Sequence, residues 1–121
     1  MKLVKIDQVS KQLSTNPIFT GGTVAIQELA TEEMGKYFSV IMVHFSPGAR
    51  TKFHTHPCDQ VLMVTSGTGI VKTAQEEHLV GLGDLINIPA GEKHWHGATK
   101  NSEFSHISIL SIDSKATILE D

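Results

Sequence analysis

The chain has 121 residues with 40% apolar content, ten glycines and a formal net charge of −3, which suits one domain built around one core. No run of Lys or Arg forms a nucleic-acid or membrane-surface footprint, and no apolar run approaches the ~18 residues of a membrane span. Residues 1–7 lack the apolar stretch of a signal peptide, and Cys58 is the one cysteine, so no internal disulfide forms and a soluble, cytoplasmic protein is expected.

Residues 2–9 fit either a short edge strand or a helical turn. Asn16-Pro17 and Gly21-Gly22 are turn signals around Ile18, Phe19 and Thr20. A strand is expected over 23–29, a connection over 31–35, and the longest β-rich run over 36–45. That run has Phe38, Val40, Met42 and His44 on one face and Tyr37, Ser39, Ile41, Val43 and Phe45 on the other. Ser46-Pro47-Gly48 ends it.

Further on, 60–65 reads as a strand, 66–69 as a turn and 70–73 as the returning strand. Residues 74–77 are a polar tip, 78–80 a short strand, 81–84 a turn, and 85–88 a strand stopped by Pro89-Ala90-Gly91. Residues 94–99 and 104–112 complete the set. Short strands at even spacing with Gly/Pro punctuation indicate an all-β sandwich or barrel.

His54 and His56 stand at i, i+2, so in an extended strand both imidazoles share one face with Cα atoms ~7 Å apart. Two converging neutral imidazoles can take adjacent positions on a divalent metal. Gln60 follows at an even offset and can add a carbonyl oxygen, and His94 from a second strand closes a His3Gln set. His96 shares the parity of His94 and is placed to move a proton near neutral pH. On the last long strand Phe104, His106, Ser108 and Leu110 form one face, which brings His106 to the same pocket if that face is the inner one. His44 and His78 are expected to be structural or exposed. Trp95, of opposite parity, is expected to pack on another sheet or subunit. Cys58 is expected to be a partly buried thiol, and Arg50 and Lys52 solvated loop charges.

These residues resemble the cupin superfamily. Its first motif is matched by Gly48-x5-His54-x-His56-x3-Gln60-x6-Gly67, with Gln60 in place of the usual Glu; its second is matched by Gly83-x5-Pro89-x-Gly91-x2-His94, with Ala98 in place of the terminal Asn. The resemblance covers residues 48–98, with motif one at 48–67 and motif two at 83–98. It implies a single cupin domain over 1–121 folded as a jelly-roll (double-stranded β-helix) barrel. A narrower resemblance, carried by the run from His54 to Gln60, the run Gly91 to Ala98 and the later His106, is to small manganese cupins with hydroxynitrile lyase activity. It implies metal ligands at His54, His56, Gln60 and His94, with His96 and His106 lining the pocket.

The expected cofactor is one divalent transition metal, manganese first, with iron, nickel, cobalt or zinc also suited to imidazole and carbonyl ligands. The expected function is lyase-type carbon–carbon chemistry on a small carbonyl compound, the metal acting as Lewis acid and His96 or His106 as base. An iron-dependent dioxygenase and a non-catalytic metal-binding or sensor module are the alternatives. The expected partner is a small-molecule substrate, and a homodimer is expected because sheet edges in so small a domain pair with another copy, the N-terminal segment being the candidate swapped or edge strand.

Overall fold

Period-two alternation decides which face of each strand is buried. In the strand Phe38–Phe45, Val43 and Phe45 are 3% and 2% exposed and face the interior, while Phe38 at the strand's start is 65% exposed. The computed structural model describes residues 1–121. Its strands are β1 (Gln12–Leu13), β2 (Phe19–Thr20), β3 (Val24–Ala30), β4 (Phe38–Phe45), β5 (Arg50–Thr51), β6 (His54–Thr55) and β7 (Gln60–Gly67). They continue with β8 (Gly69–Lys72), β9 (Glu77–Val80), β10 (Leu85–Ile88), β11 (Trp95–Ala98), β12 (Phe104–Ser111) and β13 (Thr117–Ile118). No α-helix is present, and none is long and apolar enough to cross a membrane.

One sheet runs β1-β3-β4-β12-β7-β10, a second β2-β5-β11-β8-β9, and β13 pairs with β6 in a two-stranded ribbon. All pairings are antiparallel. The chain passes repeatedly from one large sheet to the other, and the result is the jelly-roll barrel that the motifs imply.

The expected turn at 66–69 is not a hairpin. β7 pairs with β10 and β12, and β8 pairs with β9 and β11, so Thr68 carries the chain from one sheet to the other. Gly67 makes this corner with φ +75°, and a Cβ there would lie 1.8 Å from the Glu103 carbonyl oxygen, so no other residue fits without moving the backbone. Gly97 serves a different need: a Cβ on it would meet Arg50 Cβ at 2.3 Å, and its absence lets β11 lie beside β5.

Residues 2–9 form no strand; they contain a 3-10 turn at Ile6–Gln8, and the edge strand is instead β1. Side-chain hydrogen bonds decide between the two expected forms. Gln27 Nε2 donates to the carbonyls of Ile6 and Val9, each at 2.8 Å, and its Oε1 lies 2.7 Å from His44 Nε2. His44 Nδ1 is 2.8 Å from Ser105 Oγ, so His44 is a structural histidine on the sheet's outer face.

The apolar core gathers Val24, Val43, Phe45, Val64, Val71, Val80 and Phe104 at one end of the barrel. Full burial of such side chains contributes ~1.5–3 kcal/mol each before chain entropy is counted. Phe45 is the floor between core and site: its ring stacks on Phe104 at 5.9 Å and touches His106 at 5.5 Å and His96 at 6.0 Å.

Candidate functional site

Above that floor, His54, His56 and His94 converge, each offering a ligand nitrogen within 4.8 Å of the others. β6 carries His54, and His56 follows just beyond it. His94 enters as an isolated bridge in which its N–H and C=O exchange 3.0 Å bonds with His54. Gln60 opens β7, His96 lies on β11, and His106 and Ser108 lie on β12. The inner face of β12 is therefore the one bearing Phe104, His106 and Ser108, which are 1%, 0% and 3% exposed.

The hydrogen bonds fix the tautomers of two histidines. His54 Nδ1 donates to the Lys52 carbonyl at 2.7 Å, and His94 Nδ1 to the Glu92 carbonyl at 2.9 Å. In a neutral imidazole this leaves each Nε2 as a bare lone pair. Burial pushes the His54 pKa down to about 3 and that of His56 to about 4, the neighbouring His94 adding to both; burial lowers His94 as well. All three are neutral at pH 7 and ready to ligate without releasing a proton.

Gln60 Nε2 donates to Ser108 Oγ at 2.9 Å, which turns the amide oxygen toward His94; Gln60 Oε1 and His94 Nε2 are 3.1 Å apart. With the amide in this orientation both atoms are acceptors, so no proton lies between them. Two lone pairs held face to face are satisfied by a cation, and His56 Nδ1, buried without a partner, adds to the polar groups left unpaired here. The donor set fits a divalent metal held by imidazole and carbonyl groups.

A cavity of about 210 Å³ lies against this cluster, lined by His54, His56, Gln60, His96 and His106 among others. It is smaller than the ~300–1,000 Å³ typical of drug-sized sites, so it suits a small molecule. His96 Nδ1 lies 3.0 Å from His106 Nε2, and both rings are buried. Burial is the main cause that lowers both pKa values, His106 to about 3 and His96 well below 6.5. With Nδ1 engaged by His106, the nitrogen that His96 keeps for the cavity is Nε2.

Sequence reasoning missed two supports. Ser108 shares the inner parity of β12, a signal that was available, but its bond to Gln60 depends on pairing across strands. Thr51 Oγ1 accepts the His96 N–H at 3.1 Å, a contact that no spacing announces. Arg50 reads from the sequence as a solvated loop charge; instead its guanidinium lies 2.6 Å from the Glu120 carboxylate and 4.7 Å over the Trp95 ring, so Trp95 packs on a cation from the neighbouring strand of its own sheet and not on the other sheet. Cys58 is a half-buried free thiol whose Sγ accepts the Ser111 N–H at 3.5 Å, and His78 is exposed.

The depressed histidines give the metal-free protein a definite acid response. Their folded pKa values lie below the ordinary 6.5, so between those values the unfolded chain binds more protons. The stability they contribute is complete above about pH 6.5 and is lost as pH falls toward about 4 and then 3. Urea midpoints of metal-free protein should therefore decline from about pH 7 to pH 4, and a flat profile would contradict neutral buried rings.

Comparison with known proteins agrees with this fold. The family profile of the cupin domain matches residues 41–110. The (R)-mandelonitrile lyase of Granulicella tundricola is 40% identical over 99 residues, spanning 78% of this chain and 74% of that protein. The acireductone dioxygenase of a Sulfurihydrogenibium species is 33% identical over 70 residues, which is 52% of this chain but 39% of that protein. Among solved structures, a cupin-like protein of Thermotoga maritima superposes with a TM-score of 0.85 at 34% identity, covering 95% of this chain and 90% of that one.

Proposed function

The chain belongs to the cupin family, and on that premise we propose that it is a metal-dependent lyase that makes or breaks a carbon–carbon bond next to the oxygen of a small carbonyl-derived molecule. The observation that carries this reading is the opposed pair Gln60 Oε1 and His94 Nε2 at 3.1 Å, beside a cavity that also holds His96. His54, His56, His94 and Gln60 would hold the ion through imidazole nitrogens and one amide oxygen, with manganese as the metal in this reading. A divalent ion held by four neutral ligands keeps its full charge and supplies Lewis-acid polarisation of a substrate oxygen.

This chain's residues supply the rest. With mandelonitrile, the compound in the name of the Granulicella relative, and with His96 Nδ1–H donating to His106 Nε2 so that Nε2 keeps the lone pair, His96 Nε2 takes the hydroxyl proton, the bond to the nitrile carbon breaks, and cyanide leaves with its electron pair. The proton returns from His96 to cyanide, giving benzaldehyde and hydrogen cyanide. His106 holds the His96 ring through Nδ1. Phe45 and the strands around it keep bulk water from the base.

The test is benzaldehyde release from (R)-mandelonitrile by protein purified without a nickel column and loaded with Mn²⁺, against the metal-free form. Metal-dependent release supports the lyase. No release from fully loaded protein, together with oxygen uptake on enediol or catechol substrates, supports instead an iron dioxygenase at the same ligands, the reading favoured by the partial match to acireductone dioxygenase. Inward histidines beyond the ligand set argue against a binding or sensor module.

Gln60→Glu is expected to keep or tighten metal binding. A carboxylate adds charge attraction, and Ser108 can turn its hydroxyl from acceptor to donor to meet it. Turnover should fall, because the site's net charge drops by one and polarises oxygen less. Chelator competition and kcat/KM measure the two effects, and loss of binding would make Gln60 a packing residue.

The assembly in this reading is a homodimer. Its support is the exposed apolar corner of Leu79, Leu82, Leu85 and Met63 around β9 and β10, which are 71%, 77%, 58% and 41% exposed. Sedimentation velocity checks it.

A further inference from the structure

The last nine residues, 113–121, lie beyond both motifs, yet they close one side of the cavity. β13 pairs with β6, placing Ile118 opposite His54 and Thr117 opposite Thr55. The Leu119 N–H donates to the Phe53 carbonyl at 2.8 Å. Glu120 ends the segment with three contacts. Its Oε2 accepts from Arg50 Nη2 at 2.6 Å, and its Oε1 accepts from the Phe53 N–H at 2.8 Å and from Arg50 Nη1 at 3.3 Å. Arg50 is itself held over the Trp95 ring at 4.7 Å, so the charge that anchors the segment is braced from the second sheet.

Between β12 and β13 the segment presents Ser114 and Ala116 to the cavity. Ser114 Oγ is buried and has no hydrogen-bond partner. A hydroxyl left unpaired in a cavity wall is costly unless a ligand or water completes it. Few apolar groups hold the strap down, since residues 115–119 are all exposed, so its closure depends on the β13 pairing and on Glu120. Segments of this kind sit at the low end of local stability.

We propose that residues 113–121 form a specificity strap, latched by Glu120 to Arg50 and the Phe53 amide, in which Ser114 and Ala116 meet the substrate and set the size that the cavity accepts. The inference rests on the carbonyl reading above for the identity of the substrate, and on the strap's own contacts for its placement. Ser114 Oγ suits a substrate with a hydrogen-bonding group or a bridging water at that wall, and the small side chains leave room for a ring.

The experiment uses zinc-loaded, isotopically labelled full-length protein, with benzaldehyde and acetaldehyde as probes followed by NMR titration. Benzaldehyde should shift the amides of Ser114 and Ala116. Ser114→Leu should weaken benzaldehyde by about tenfold or more while changing acetaldehyde by less than about threefold, because added methylenes occupy the space of the ring. Glu120→Ala should speed amide exchange at Leu119 and Phe53 by about tenfold, leave zinc stoichiometry unchanged, and narrow the discrimination between the two aldehydes. Glu120→Gln, which keeps an acceptor for Phe53 but not the ion pair, should fall between. Aldehyde binding that survives both Ser114→Leu and Glu120→Ala unaltered, or that weakens alike for both probes, overturns the strap. Wild-type protein that holds zinc but binds neither aldehyde overturns the carbonyl reading, and with it the strap's role in selecting such substrates.

Discussion

His94→Ala is expected to strip the divalent metal from the protein while leaving a folded β barrel. His94 is 1% exposed, and its Nε2 faces Gln60 Oε1 at 3.1 Å. Removing the imidazole deletes one of the four proposed ligands and separates the other donors from the strand that closes the set. The loss in affinity should exceed the ~10–100-fold typical when only a partner of a ligand is removed. The fold survives because the bridge between residues 54 and 94 is made by backbone groups, and because the apolar core lies beneath the site, from Val24 to Phe104. Elemental analysis and circular dichroism read the two outcomes, and undiminished occupancy would remove His94 from the site.

Much of this site is legible in the sequence, because its residues obey short-range rules. The alternation of β12 places His106 and Ser108 together, the even offset of His54 and His56 puts both rings in one cluster, and His94 and His96 share a face of the strand that follows Gly91. The β12 relation depends only on the pleat; His56 and His94 lie just outside β6 and β11 and keep their places through the extended backbone on either side of the 54–94 bridge. What escapes is whatever depends on distant pairing. Thr68 looks like part of a hairpin turn because Gly67 and Gly69 flank it, but the partners of β7 and β8 lie in different sheets, and nothing local reports that. Arg50 looks solvated until Glu120, at the other end of the chain, is brought to it by β13. Ser114 carries no motif and enters the cavity wall only because the strap folds back over β6. Residues 2–9 fit two forms in the sequence for a related reason: the amide that holds them belongs to Gln27, a side chain on a distant strand.

His96→Asn is expected to lower mandelonitrile turnover by ~10²–10⁴, the usual contribution of a positioned acid–base group, with metal content unchanged. The expectation comes from the pairing of His96 Nδ1 with His106 Nε2 at 3.0 Å, which leaves Nε2 of His96 for the cavity. Asparagine keeps a polar group there but cannot accept and return a proton near neutral pH. His106→Asn should cost less, because an amide can still hold the His96 ring, and the difference between the two variants separates base from support. The pH profile gives a second readout. Burial holds His96 well below its ordinary value, and the neighbouring His106 lowers it further, so the base stays neutral at pH 7 and turnover fades only as pH falls through the depressed pKa. Replacing His106 removes one of the groups that disfavour the imidazolium, so the acid limb should move upward toward the ordinary histidine range of about 6.5. A merely structural His106 would reduce the rate without moving the limb. If both asparagine variants keep metal and the wild-type rate, neither histidine is the base, and the oxygen-using and pure-binding readings of the same metal site take precedence over the lyase.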